Sequence, residues 1–76
     1  MISSASEIRP VRTRSQRTVN VKVEHHFGGD CTLSFGGKTR DLVAEGGKLV
    51  WVEDGAWIDS YKNLDEAVRA FADTLI

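Results

Sequence analysis

The sequence predicts an α+β fold, in which a small antiparallel β-meander of four to five strands packs against one C-terminal α-helix. Residues 18–27 alternate between apolar and polar side chains, which is typical of a half-buried antiparallel strand. Asp54-Gly55 separates two runs rich in Val, Trp, Ile and Tyr, a strong hairpin signal because glycine accepts a positive φ. An apolar stripe at helical spacing follows, formed by Leu64, Val68, Phe71 and Leu75.

Residues 1–17 are predicted to be a flexible, Arg- and Ser-rich N-terminal arm, and residues 18–76 a single sheet-plus-helix domain. The first 16 residues contain the only proline and show no periodicity, so they cannot bury enough apolar surface to offset the entropy of ordering. Four arginines against one glutamate give the arm a charge of +3, and six basic against ten acidic residues give the remainder −4. These arginines are Arg9, Arg12, Arg14 and Arg17. We expect the arm to be dispensable for folding, and it either contacts phosphates, folds back on the acidic body or contacts nothing.

The strand candidates after the arm are separated by turn residues. Val19, Val21 and Val23 share one face of the first candidate, and Gly28-Gly29-Asp30 supplies the next turn. Alternation resumes in residues 31–35 and is interrupted by Gly36-Gly37. Residues 39–44 are a weaker candidate, and Glu45-Gly46-Gly47 is a turn before the strand that contains Trp51.

The hairpin around Asp54-Gly55 is predicted to be apolar on both faces. A two-residue turn pairs Val52 with Trp57 and Trp51 with Ile58, whereas a longer turn with a bulge pairs Trp51 with Trp57 and Val50 with Ile58. One helix covers only one face, so a patch that includes a tryptophan stays exposed unless the arm, a loop or a bulge covers it. Trp57 is the expected anchor of that patch.

The C-terminal helix carries a start signal at Asn63. The Asn63 side chain is placed to accept from a backbone N–H of the first turn, and Glu66 three residues later completes a capping-box pattern. We expect this helix to be essential, because a sheet this small needs a cover for its apolar face.

Composition limits the class of protein. The chain has 76 residues, enough for one domain with a thin core. A single cysteine, Cys31, excludes an internal disulfide and agrees with a reducing cytoplasm. No apolar run has the roughly 18 residues needed to cross a bilayer. We therefore expect a cytoplasmic protein without a membrane partner.

The sequence favours neither an enzyme nor a cofactor or metal site. His25 and His26 are adjacent on a strand and point to opposite faces, and too few other ligands exist to complete a zinc set. Cys31 near a histidine lacks the pocket and orienting group that nucleophilic catalysis needs. The glycine pairs lack the strand–glycine–helix order of a phosphate-binding loop.

The preferred hypothesis is a non-enzymatic protein-binding module, of the kind that phages and mobile elements encode to block bacterial nucleic-acid-handling complexes. Its acidic body would occupy a positive surface that normally takes nucleic acid. Trp57 or Tyr61 is the expected aromatic anchor, and the expected acidic contacts are Glu53, Asp54, Asp59, Asp65 and Asp73. The alternative is a nucleic-acid-binding accessory that uses Arg9, Arg12, Arg14 and Arg17. A homodimer or larger homo-oligomer is a third class.

Overall fold

A computed structural model describes residues 5–75 as one six-stranded antiparallel sheet followed by a single α-helix. The strands pair in sequence order, so the sheet is a meander. The elements are β1 (Ala5–Arg12), β2 (Thr18–His25), β3 (Cys31–Phe35), β4 (Lys38–Glu45), β5 (Lys48–Glu53), β6 (Ala56–Tyr61) and α1 (Leu64–Asp73). The predicted α+β meander with a C-terminal helix is confirmed, but the sheet has six strands and not four or five. Within the described residues, no helix combines the length and the apolar character needed to span a membrane.

The sixth strand is β1, which lies inside the segment predicted to be a flexible arm. It pairs with β2 along its whole length, from Ala5 opposite His25 to Arg12 opposite Thr18. The ladder with β2 pairs the backbone groups on one side of β1, so the strand forms although its own side chains are mostly exposed. Residues 1–4 of the predicted arm lie outside the described residues.

Three of the hairpin turns have the two-residue geometry that glycine favours. Gly36-Gly37, Gly46-Gly47 and Asp54-Gly55 all have positive φ at both central positions, as a type I′ turn requires. The turns predicted from the sequence are therefore confirmed. The connection from β2 to β3 is different, because β2 ends at His25 and a 3₁₀ turn, Phe27–Gly29, follows it. Phe27, predicted to extend the strand, is exposed in this turn.

The core lies between one face of the sheet and α1. Val21, Val23 and Leu33 are fully buried on that face, and Val68 and Phe71 of α1 cover them. The helix begins as predicted, since the Asn63 Oδ1 accepts from the Glu66 N–H at 2.9 Å. Glu66 reaches back one residue further than a capping box requires, and accepts from the Lys62 N–H at 3.3 Å. Among residues 5–75, no helix covers the other face of the sheet.

Candidate functional site

The β5–β6 hairpin combines a tight turn with a bulge. Val52 pairs with Trp57 across the two-residue turn, as predicted for that turn. Trp51 does not pair with Ile58, however, because the register shifts by one residue and Trp51 lies opposite Asp59. Ile58 is thus the extra residue of a β-bulge, which increases the local twist and leaves that residue outside the ladder.

This hairpin exposes two large apolar side chains, Trp57 and Ile58, and Trp57 lies on the face of the sheet opposite α1. Trp51 packs against the core, so alternation places Val52 and its partner Trp57 on the other face. Trp57 is 68% exposed and Ile58 is 48% exposed. Part of the same face is shielded from solvent, because Val50 is buried there although it does not belong to the core cluster. An exposed tryptophan beside a second exposed apolar residue is typical of an interaction site.

Three carboxylates flank Trp57 along the hairpin. Alternation places Glu53 and Asp59 on the side of the sheet that carries α1, and Asp54 lies in the turn. Within residues 5–75 none of the three forms an ion pair, and residues 49–61 contain no lysine or arginine. We call Glu53, Asp54, Trp57, Ile58 and Asp59 the hairpin surface. It combines two exposed apolar side chains with a charge of −3, and it extends over both sides of the hairpin.

Tyr61, the second predicted anchor, belongs to the core and not to the hairpin surface. Its side chain is 6% exposed, and its hydroxyl accepts a hydrogen bond of 3.1 Å from the Arg40 Nη1. Tyr61 pairs with Leu49 on the side of the sheet that carries α1, which is why it is buried. Burial raises the pKa of the phenol, and the nearby Arg40 charge opposes that shift. The sequence reasoning overlooked Arg40, since nothing in its surroundings indicates that an arginine there is buried.

Two other predicted carboxylates bind arginines of the same chain. The Asp65 Oδ1 accepts from the Arg9 Nη1 at 2.6 Å, and the Asp73 Oδ1 accepts from the Arg14 backbone N–H at 3.0 Å. Asp65 and Asp73 of α1 therefore hold β1 and the turn that follows it against the helix. The basic segment folds back on the acidic body, one of the alternatives that its composition left open.

These ion pairs border a groove between β1 and α1 with a volume of about 740 Å³. We call it the β1–α1 groove, and it is lined by Arg9, Pro10, Val11, Arg12, Thr13, Arg14, Asp65, Val68, Arg69 and Asp73. Three of the four arginines of the predicted nucleic-acid site line it. Arg17 does not, and its backbone N–H donates to the Thr13 hydroxyl at 3.3 Å. The four arginines therefore do not act as one free arm.

The candidate nucleophile is buried, and the candidate metal ligands contact other side chains of the chain. Cys31 is buried, and burial followed by the Asp30 charge raises the pKa of its thiol, which disfavours the reactive thiolate. The Nε2 atom of His25 lies 3.2 Å from Glu7, and that of His26 lies 2.8 Å from the Thr32 hydroxyl. In the part of the chain that the structure describes, no three His, Cys, Asp or Glu side chains are grouped to hold a metal ion.

Comparison with known proteins adds no further assignment. A scan against protein-family models gave no match, and neither did comparisons with curated proteins and with solved structures.

Proposed function

We propose that the protein is a non-enzymatic protein-binding module whose hairpin surface docks on a basic surface of another protein. The observation that supports this most is the 68% exposure of Trp57 on a hairpin whose three carboxylates form no ion pair among residues 5–75. A tryptophan in this position loses its apolar exposure only when a partner covers it. Trp is also among the residues that most often dominate binding energy at interfaces.

The charge of the hairpin surface defines the chemistry of the partner. Because β6 is the last strand of the sheet, a partner that docks around its edge can contact both faces of the hairpin, with Asp54 in the turn, Asp59 on β6 and Glu53 on the neighbouring β5. Charges of one sign attract a partner of the opposite sign, which raises the association rate and disfavours acidic competitors. Lysine or arginine around an apolar pocket is the complementary surface.

Proteins that handle nucleic acid carry basic surfaces of this kind. In its specific form, the proposal is that the chain occupies such a surface in a bacterial complex and excludes the nucleic acid, as an inhibitor from a phage or mobile element would. Glu53, Asp54 and Asp59 then take the place of phosphates. The partner should accordingly lose nucleic-acid binding when this protein is present.

The experiment compares three immobilised forms of the chain as bait for proteins of the source cell. Wild type and Phe27→Ala should retain the same partner, and Trp57→Ala should lose it. Phe27 is the matched control because it is an aromatic residue, 88% exposed, outside the hairpin. The retained protein is then tested for competition with nucleic acid. Equal retention by Trp57→Ala, or self-association of the purified chain through Trp57, would contradict the proposal.

A charge variant distinguishes specific docking on a basic partner from non-specific hydrophobic binding by the Trp57 indole. Glu53→Gln combined with Asp54→Asn removes two charges. The second change replaces Asp-Gly by Asn-Gly, a pair that also strongly favours a type I′ turn. The partner should then bind more slowly at low salt, with a weaker dependence on ionic strength. Glu45→Gln, at an exposed carboxylate beside another hairpin turn, should leave the association rate unchanged.

A further inference from the structure

The β1–α1 groove has the shape and charge of a second binding site, remote from the hairpin surface. One wall comes from β1 and the turn after it, and the other from α1. Asp65, Arg69 and Asp73 are spaced at i, i+4 and i+8, so they form one row along α1. Val11 and Val68 contribute apolar surface between the walls. A volume of about 740 Å³ is within the range of small-molecule sites.

The groove is basic in a chain that is acidic overall. Four arginines against two aspartates leave its lining with a charge of +2, whereas the whole chain carries −1. Arg9 is already bound within the chain, since it donates to both Glu7 and Asp65. Arg69 and Arg12 take part in no ion pair within residues 5–75. Arg69 lies in the middle of its wall, one helical turn from either aspartate.

Arg14 is held only loosely by the chain itself. Its Nε lies 3.7 Å from the Asp73 Oδ2, longer than a hydrogen bond, and its side chain is 94% exposed. Asp73 meanwhile accepts from the Arg14 backbone N–H at 3.0 Å. The turn is thus fixed through its backbone, while the guanidinium group of Arg14 stays available for an incoming anion.

We propose that the β1–α1 groove binds a phosphate-bearing ligand, with Arg69 and Arg14 as the residues that contact the phosphate. A guanidinium group binds a phosphate with two parallel hydrogen bonds. A phosphate monoester carries close to −2 at neutral pH, opposite in sign to the charge of the lining. Asp65 binds Arg9 and Asp73 binds the Arg14 backbone, so the guanidinium groups of Arg14 and Arg69 stay available for the phosphate. This site is independent of the protein-binding function of the hairpin surface.

The same chemistry is offered by a small phosphorylated molecule and by a nucleic-acid strand, so the experiment has two arms. The full chain is titrated with inorganic pyrophosphate and, separately, with a short single-stranded oligothymidylate, while the arginine Nε–H and backbone amide resonances are followed by NMR. We expect saturable shifts at Arg14, Arg69 and the β1–β2 turn. Arg69→Gln should weaken binding by at least about tenfold, as expected for the loss of its charge-assisted hydrogen bonds to the phosphate. Lys38→Gln, at an exposed lysine that does not line the groove, should change binding less than about twofold, within the range of a distant screened charge.

The outcomes distinguish the ligand source and test the site itself. Shifts from pyrophosphate at these residues identify a small phosphorylated ligand, and shifts from the oligothymidylate alone identify a strand. Absence of saturable shifts with both probes would overturn the proposal. So would shifts spread over all lysines and arginines, or equal effects of Arg69→Gln and Lys38→Gln. The thermal midpoint of Arg69→Gln is measured alongside; because Arg69 is exposed, the fold should be retained, and Arg14→Gln provides a second test of the same site.

Discussion

The guanidinium carbon of Arg40 lies 3.6 Å from the centroid of the Trp51 ring and 5.2 Å from that of Phe71. The side chain is 7% exposed and donates to the Tyr61 hydroxyl, yet no carboxylate pairs with it within residues 5–75. A buried charge without an ionic partner is costly. The face of the Trp51 ring supplies a compensating attraction, and the stem of Arg40 packs against the core.

The first prediction separates the packing of Arg40 from its charge. Arg40→Ala removes both, leaves a cavity beside Trp51, and should lower the free energy of unfolding by about 2–4 kcal/mol. Arg40→Met fills most of the volume without a buried charge and should change it by less than about 1.5 kcal/mol. Urea unfolding measures both variants. If Arg40→Met is as unstable as Arg40→Ala, the charge itself stabilises the fold.

The second prediction concerns the packing of α1 on the sheet. Phe71 is one of the largest fully buried side chains, so Phe71→Ala should cost about 3–5 kcal/mol. That is comparable to the whole stability of a small domain, and cooperative unfolding should be lost or shifted far down in temperature. Phe27→Ala changes an exposed ring and should stay within about 0.5 kcal/mol of wild type. A Phe71→Ala chain that unfolds cooperatively near the wild-type midpoint would show that Phe71 contributes little to the core.

The features that were predicted from sequence are those encoded by neighbouring residues. The three two-residue turns need positive φ at two successive positions, and glycine pairs or Asp-Gly announce this locally. The start of α1 is likewise local, because Asn63 and Glu66 lie within one helical turn of each other. The two apolar faces of the β5–β6 hairpin follow from strand alternation, which indicated an exposed tryptophan without fixing its surroundings.

The features that sequence reasoning missed depend on contacts between different strands or between a strand and the helix. β1 has little apolar periodicity of its own and exists because β2 offers a ladder, with Arg9 held by Asp65 from α1. Tyr61 is buried by its pairing with Leu49 and by Arg40, which is 21 positions away. The residues around β1 and around Tyr61 in the sequence do not by themselves indicate these contacts. The bulge at Ile58 lets the hairpin combine a two-residue turn with core packing on β5 and β6. The hairpin sequence alone does not determine its position.

The third prediction reverses the expectation that the N-terminal segment is dispensable. Removing residues 1–12 deletes β1, exposes the backbone edge of β2 and uncovers Val19, Val21 and Val23, which are buried. The thermal midpoint should therefore fall strongly, with a loss of cooperativity. Ile8→Ala is the control within the same strand, since Ile8 is exposed and its truncation should matter little. A deletion variant that keeps the wild-type midpoint would restore the picture of a flexible arm.

The last prediction uses Tyr61 as a probe of its own burial. Burial disfavours the phenolate, so the folded-state pKa lies above the ordinary value of 10.0 despite the nearby Arg40 charge. The unfolded chain therefore releases this proton at lower pH than the folded chain does. The stabilising contribution is fully present below pH 10.0 and is lost as the pH rises through the raised pKa.

The chain contains one tyrosine, so its phenolate absorbance reports Tyr61 alone. We expect a titration midpoint above 10.0 in the native protein, which returns to about 10 in concentrated urea. The Tyr61→Phe variant has no phenol proton to release on unfolding. Its free energy of unfolding should therefore fall less steeply with rising pH than that of wild type. Cys31, whose thiol pKa is also raised by burial, contributes equally to both proteins and cancels in the comparison. A native midpoint equal to that in urea would mean that the phenol is solvated, and would contradict the placement of Tyr61 beneath Arg40.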